Sequence, residues 1–274
     1  MKTAKVIILA GQSNAVGVGW QKYLPRHFSA EKTAEFRAGY ESVLIHYFSH
    51  DMRNEGFAKT TLGTAEKCKE TFGPEVGMAE ALKAKFPDET FYIIKSAVGG
   101  TNLFHDWLPP SCEGHDPDAS DAEGEHYRAS GWCFNEMIRT VGAGIRMLEE
   151  QGLQAEIRGF CWMQGESDSF EAETAANYAM RYRRMLADFN AVYGAYTENC
   201  TYVDAAISEK WPLYREINAA KQEHALSAKN SVYLDTIAEG LITTKEPEPE
   251  CDWPHYDSDC TIKLGQLFVE SIPL

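Results

Sequence analysis

Four short clusters hold residues able to carry out acyl transfer. Gly11-Gln12-Ser13-Asn14 offers a serine hydroxyl after the apolar run Val6–Ala10. Ser96-Ala97-Val98-Gly99-Gly100-Thr101-Asn102 offers glycine backbone. Trp162-Met163-Gln164-Gly165-Glu166-Ser167-Asp168 offers an amide and two carboxylates. Asp252-Trp253-Pro254-His255 sets a carboxylate three residues before an imidazole. A serine hydroxyl is a weak nucleophile unless a base takes its proton, and histidine is the side chain that does so near neutral pH. The imidazole in turn needs an acceptor on its other nitrogen, which Asp252 provides if its segment turns. The oxyanion of the tetrahedral intermediate needs donors. The Ser13 N–H, a glycine N–H from Gly100 (or Gly99) and the Gln164 amide are the candidates. The expected catalytic set is therefore Ser13, His255 and Asp252, with Ser13, Gly100 and Gln164 around the oxyanion.

Each cluster has a plainer meaning in isolation: a turn, a helix start, a satisfied amide, a solvated histidine. Their concurrence at equivalent points of the chain gives them weight. Rival constellations are thinner. His46 and His50 are four apart but fall on a strand-like run. His105, His115 and His126 lie among acids as a possible metal cluster. Glu166 and Asp168 could serve as a glycosidase pair, which leaves Ser13, Asp252 and His255 without a task. Neither a P-loop nor GxGxxG occurs, so no nucleotide cofactor is expected. No metal or other cofactor is expected either.

The elements that must position these clusters alternate regularly. Strand-like runs are Lys5–Leu9, Val43–Phe48, Phe91–Lys95, Ile157–Met163, Cys200–Asp204 and the short Val232–Leu234. Helical patterns cover 75–85, 134–151, 171–193, 213–228 and 258–270. Strand then helix, repeated about five times, predicts parallel strands joined by right-handed crossovers. The expectation is one domain over residues 1–274, a three-layer α/β/α sandwich on a mainly parallel five-stranded sheet. Ligands of such sheets sit beyond the carboxyl ends of the strands, where the clusters fall. Two irregular stretches remain. Ser111–Ser130 is acidic and is expected to wall one side of the Ser13 pocket, admitting small substrates rather than a long polymer. Thr244–Pro254 is rich in Pro and Glu and is expected to be exposed.

The net charge of −15 argues against nucleic acid and anionic lipid as partners, and no apolar run reaches the ~20 residues of a membrane span. Val6–Ala10 is too short for a signal-peptide core, so a cytoplasmic protein is expected, exported only if a leader once preceded Met1. The seven cysteines suggest no disulfide framework, although Cys251 and Cys260 bracket the histidine cluster and could pair.

Taken together, the four clusters resemble the successive blocks of the SGNH hydrolase superfamily. The similarity is greatest to its sialate O-acetylesterase and acetylxylan esterase branch, and Gly73-Pro74-Glu75-Val76-Gly77 resembles a further segment of that branch. Gly-Gln-Ser-Asn in place of Gly-Asp-Ser-Leu, and Gln164 in place of an asparagine, fit that branch. The resemblance implies a flavodoxin-like fold, with Ser13 as nucleophile, His255 as base, Asp252 as its partner, and Gly100 and Gln164 as oxyanion donors. The expected activity is that of a serine esterase removing acetyl groups from mono- or oligosaccharides through an acetyl-enzyme. Trp107, Trp132 and Trp253 are candidates to stack on the sugar. A lipid or thioester hydrolase of the same fold and an inactive sugar-binding module are the alternatives.

Overall fold

A computed structural model describes residues 2–50, 52–63, 70–116 and 129–274. Its centre is strand β1 (Lys2–Gly11), in which Val6, Ile7, Ile8, Leu9 and Ala10 are all fully buried. An unbroken apolar run is what a strand needs when helices cover both faces of its sheet. Five more parallel strands join it: β2 (Tyr40–Ser49), β3 (Phe91–Ala97), β4 (Leu153–Met163), β5 (Thr201–Ala205) and β6 (Ser231–Leu234). The order across the sheet is β6-β5-β4-β1-β3-β2. Among the described residues the sheet thus has six parallel strands, not the five expected. Met52–Arg53 and Ala58–Thr60 add two short antiparallel segments on β2. The sixth strand, β6, is only four residues long and sits at the edge.

Among the described residues are six helices of nine residues or more: α1 (Ala30–Ala38), α2 (Glu75–Lys85), α3 (Trp132–Glu150), α4 (Ala172–Tyr193), α5 (Tyr214–Ser227) and α6 (Ser258–Glu270). All but α1 lie within two residues of the sequence expectation. α1 has no apolar stripe to announce it, burying only Thr33 and Phe36, and it starts on a serine cap, with Ser29 accepting from the Lys32 N–H. α2 and α6 pack on each other, α3 lies against β3 and β4, and α4 packs on α5. No helix among the described residues is long and apolar enough to cross a membrane.

Register decides what meets at the carboxyl edge. Gly11 pairs with Ala97 on one side and with Met163 on the other, and Ala97 pairs with Ser49. Four strand ends therefore finish abreast. The chain beyond each begins the Ser13, Gly99, Gln164 and His50 segments.

Candidate active site

Gly11 ends β1 with φ at 142°, and a Cβ there would lie 2.0 Å from the Met163 carbonyl oxygen. Only glycine lets β1 turn this sharply against β4. Gln12 N–H then donates to that same Met163 oxygen at 2.9 Å, and Ser13–Val16 forms a single helical turn. Below it lies a wholly buried ion pair. Lys95 Nζ donates to the Val16 carbonyl at 2.6 Å and to Glu75 Oε2 at 2.7 Å. Burial pushes Glu75 up and Lys95 down, and each opposes the shift of the other. Glu75, the acid of the Gly73–Gly77 segment, is thus a support for the serine turn.

The histidine segment does turn. His255 N–H donates to the Asp252 carbonyl at 2.9 Å, and His255 Nδ1 is 2.6 Å from Asp252 Oδ2. Ser13, His255 and Gly100 line one cavity of about 480 Å³, together with Gly99 and Asn102. Among the described residues, none accepts from the backbone N–H of Ser13, Gly99 or Gly100.

Asn14 joins the two halves. Its Nδ2 donates to Glu166 Oε1 at 2.9 Å and to the Pro254 carbonyl at 3.2 Å, and its Oδ1 accepts from the Tyr256 N–H at 3.1 Å. One side chain beside the serine thereby fixes the backbone on both sides of His255. Burial raises the Glu166 carboxyl against the opposing hydrogen bond from Asn14.

Gln164 is placed differently from expectation. It is fully buried, and the cavity wall does not include it. Its Nε2 is 2.5 Å from Asp168 Oδ2, 3.0 Å from the Thr101 carbonyl and 3.3 Å from Gln12 Oε1. An amide has two hydrogens, and these three acceptors occupy them. Asp168 also accepts from the Leu103 N–H, while burial lifts its carboxyl to about 7. Gln164 therefore ties the glycine loop to β4 from behind. Glu166 and Asp168 are both fully buried and neither lines the cavity, so they do not form an accessible acid pair.

Other expectations divide. Trp107 is core: its ring packs edge-on to Trp162 at 5.0 Å, and its Nε1 donates to Thr101 Oγ1. Trp132 is half-buried and donates to Asp106, whereas Trp253 is exposed. His46 shares Nδ1 with Asn54 Oδ1 at 3.0 Å, and His115 Nδ1 lies 3.1 Å from the Leu108 carbonyl. His126 and Cys68 lie outside the described residues, as do 117–128 of the acidic stretch. Ser111, at its start, is held by Asp188 and Arg184 of α4, and no described residue of the stretch lines the cavity. Cys251 is an exposed thiol and Cys260 a buried one that accepts from the Ile242 N–H, so they are not bridged. Within the stretch expected to be exposed, Glu246 is buried. It accepts from the N–H and hydroxyl of Ser258 and pairs with His27.

Three residues of the cavity are not among the expected site residues, His50 being weighed above only as a partner of His46. His50 follows β2 with φ at 52°. A Cβ on Gly99 would lie 3.0 Å from His50 Cε1 and 3.5 Å from Ser13 Cβ, so the imidazole borders the serine. Phe170 and Trp211 also line the cavity. For His50 the missing signal was available, since it lies just past the carboxyl end of a strand.

Residues 3–273 match the model of a family described as carbohydrate esterase, sialic acid-specific acetylesterase. The chain belongs to this family. It is accordingly a carboxylic ester hydrolase of the carbohydrate-esterase type. No curated protein matches it in sequence. Among solved structures it is similar to NanS, at 16% identity over 98% of this chain and 96% of that one, with a TM-score of 0.67. It is also similar to a protein of Arabidopsis thaliana, at 18% identity over 98% and 97% of the two chains, with a TM-score of 0.65. A carbohydrate acetylesterase from Xanthomonas citri follows at 12% identity and a TM-score of 0.57, this esterase covering 55% of that chain. These likenesses carry the fold, an α/β sandwich of SGNH type.

Proposed function

We propose that the esterase is a single-domain carbohydrate O-acetylesterase working through Ser13, His255 and Asp252. The observation that carries this reading is the 2.6 Å contact of His255 Nδ1 with Asp252, on a turn that shares a cavity with Ser13. With Nδ1–H donated to the carboxylate, Nε2 keeps its lone pair for the serine proton. Ser13 Oγ then attacks the acetyl carbonyl, and the oxyanion that forms is met by the N–H groups of Ser13 and Gly100, Gly99 being adjacent. Collapse expels the sugar alkoxide, which takes the proton from His255. Water, deprotonated by His255, next attacks the acetyl-enzyme, and acetate leaves as Ser13 recovers its proton. Gln164 acts on this set by holding Thr101 and Asp168.

The test is acetate release from acetylated xylo- and manno-oligosaccharides. Ser13→Ala and His255→Ala should each lower kcat on the order of 10⁶-fold, as in well-studied serine hydrolases. Retention of a tenth of the activity by either variant would remove it from the catalytic set.

A further inference from the structure

Among the described residues two histidines line the cavity with Ser13, and the proposed reaction employs only His255. The two reach the serine from opposite sides of β1. The order across the sheet is β6-β5-β4-β1-β3-β2. His255 is tied toward the β5 and β6 side. Its neighbour Tyr256 sets its hydroxyl 3.1 Å from Thr236 Oγ1, just past β6, and 3.3 Å from the Ala206 carbonyl, just past β5. Trp253 packs on Trp211, in the segment that follows β5, with ring centroids 5.0 Å apart. His50 stands on the β3 and β2 side. It follows β2 directly, and its N–H donates to the Ala97 carbonyl at 3.0 Å, so the pairing of β2 with β3 runs into it. Its φ of 52° is left-handed, a strained conformation for a residue other than glycine, and such strain gathers at working sites. The ring occupies the space that a side chain at position 99 would need. A Cβ on Gly99 would lie 3.0 Å from His50 Cε1, 3.4 Å from its Nε2 and 3.5 Å from Ser13 Cβ. The imidazole and the serine thus stand on either side of a single glycine.

We infer that His50 walls the acyl subsite and limits the acid part of the ester to acetyl. Attack by Ser13 Oγ leaves a carbon with three further substituents: the oxyanion, the leaving oxygen and the acyl chain. The oxyanion faces the N–H groups of Ser13 and Gly100. The leaving oxygen must face His255, which protonates it. The acyl chain therefore points away from His255, toward the β3 and β2 side, where His50 stands. A methyl group fits between the serine and the imidazole, and each further methylene meets the ring. The inference rests on the proposed triad and adds to it the residue that sets acyl length.

The experiment compares p-nitrophenyl acetate, propionate and butyrate, which share one leaving group, and reads kcat/KM for each. The wild-type enzyme should favour acetate over butyrate by about 10²-fold or more, since each methylene a pocket rejects is worth about tenfold or more. His50→Asn removes the ring and keeps a residue that tolerates a left-handed φ, and His50→Gly is unstrained there. Both should shrink the ratio of acetate to butyrate by about tenfold or more, chiefly by raising the butyrate value. His50→Phe keeps a ring of similar reach without the nitrogens and should hold the ratio near that of the wild type. Equal losses on all three esters in the Asn and Gly variants, with the ratio unchanged, would overturn the wall. So would a wild-type enzyme that cleaves butyrate as fast as acetate while still depending on Ser13, a result that needs no variant of His50. Hydrolysis of p-nitrophenyl acetate that survives Ser13→Ala, or none in the wild type, would instead bring down the triad reading, and the wall with it.

Discussion

Asn14→Ala is the most demanding test of how the site is held together. The substitution removes two donated hydrogen bonds, to Glu166 and to Pro254, and the acceptor of the Tyr256 N–H. Bonds between neutral groups contribute about 1 kcal/mol each and a bond to a carboxylate about 1.5–3 kcal/mol. Glu166 is fully buried and its Oε2 meets no donor among the described residues, so losing Asn14 removes the one side-chain donor to this carboxyl among them. A loss of about 3 kcal/mol in urea unfolding is expected. The effect on catalysis has a separate origin. Pro254 and Tyr256 flank His255, and a shift of about 1 Å in a catalytic group costs on the order of 10² in rate. With folded protein in the assay, kcat should fall about 10²-fold while KM moves little. Asn14→Asp keeps an acceptor for Tyr256 but sets a second carboxyl against Glu166, and should fall at least as far. If Asn14→Ala keeps kcat within about threefold of wild type, Asn14 does not position the histidine, whatever happens to stability.

Lys95→Met strands a buried carboxylate and should cost about 3–5 kcal/mol in unfolding. Lys95→Met combined with Glu75→Leu should recover part of this, and a double variant no more stable than the single one would contradict the pairing. Gln164→Ala should lower both kcat and unfolding stability, because it releases Asp168 and Thr101. A loss confined to kcat would instead make Gln164 a direct oxyanion donor. Asp168 keeps its proton up to about 7 when folded, against 3.8 for an ordinary aspartate. Between those values the unfolded chain binds fewer protons, so stability should fall as pH rises through that window, by at most about 4 kcal/mol from this group. Asp168→Asn should flatten that slope, and an unchanged slope on going from wild type to variant would refute the assignment.

The parts legible in the sequence were those written in local pattern. Val6–Ala10 could be little other than a central strand, and the i, i+3 spacing of Asp252 and His255 needed only a turn to bring them together. What stayed hidden depends on register and on packing between distant segments. Asn14 looked like the tail of a serine motif, yet its three partners lie 152 to 242 residues away. Trp107 lies in a segment without regular structure, but its indole closes the core above Trp162. Gln164 had the right chemistry for an oxyanion donor, and no local pattern announced that its amide donates to Asp168, Thr101 and Gln12. Glu246 sits between Lys245 and Pro247 in an outwardly polar run, and its burial follows from Ser258 at the start of α6.

The turn that carries Asp252 and His255 has a consequence for how the molecule can be divided. Glu248, Pro249 and Glu250 are exposed, and they separate a long piece bearing Ser13 from a short one bearing both Asp252 and His255. The short piece contains α6, whose contacts with α2 give it a docking face on the long one. A chain cut there has its proposed nucleophile and its proposed proton machinery on different polypeptides. Fused to two proteins that meet, such halves would make hydrolysis a signal of their meeting, with the acid and base always arriving together.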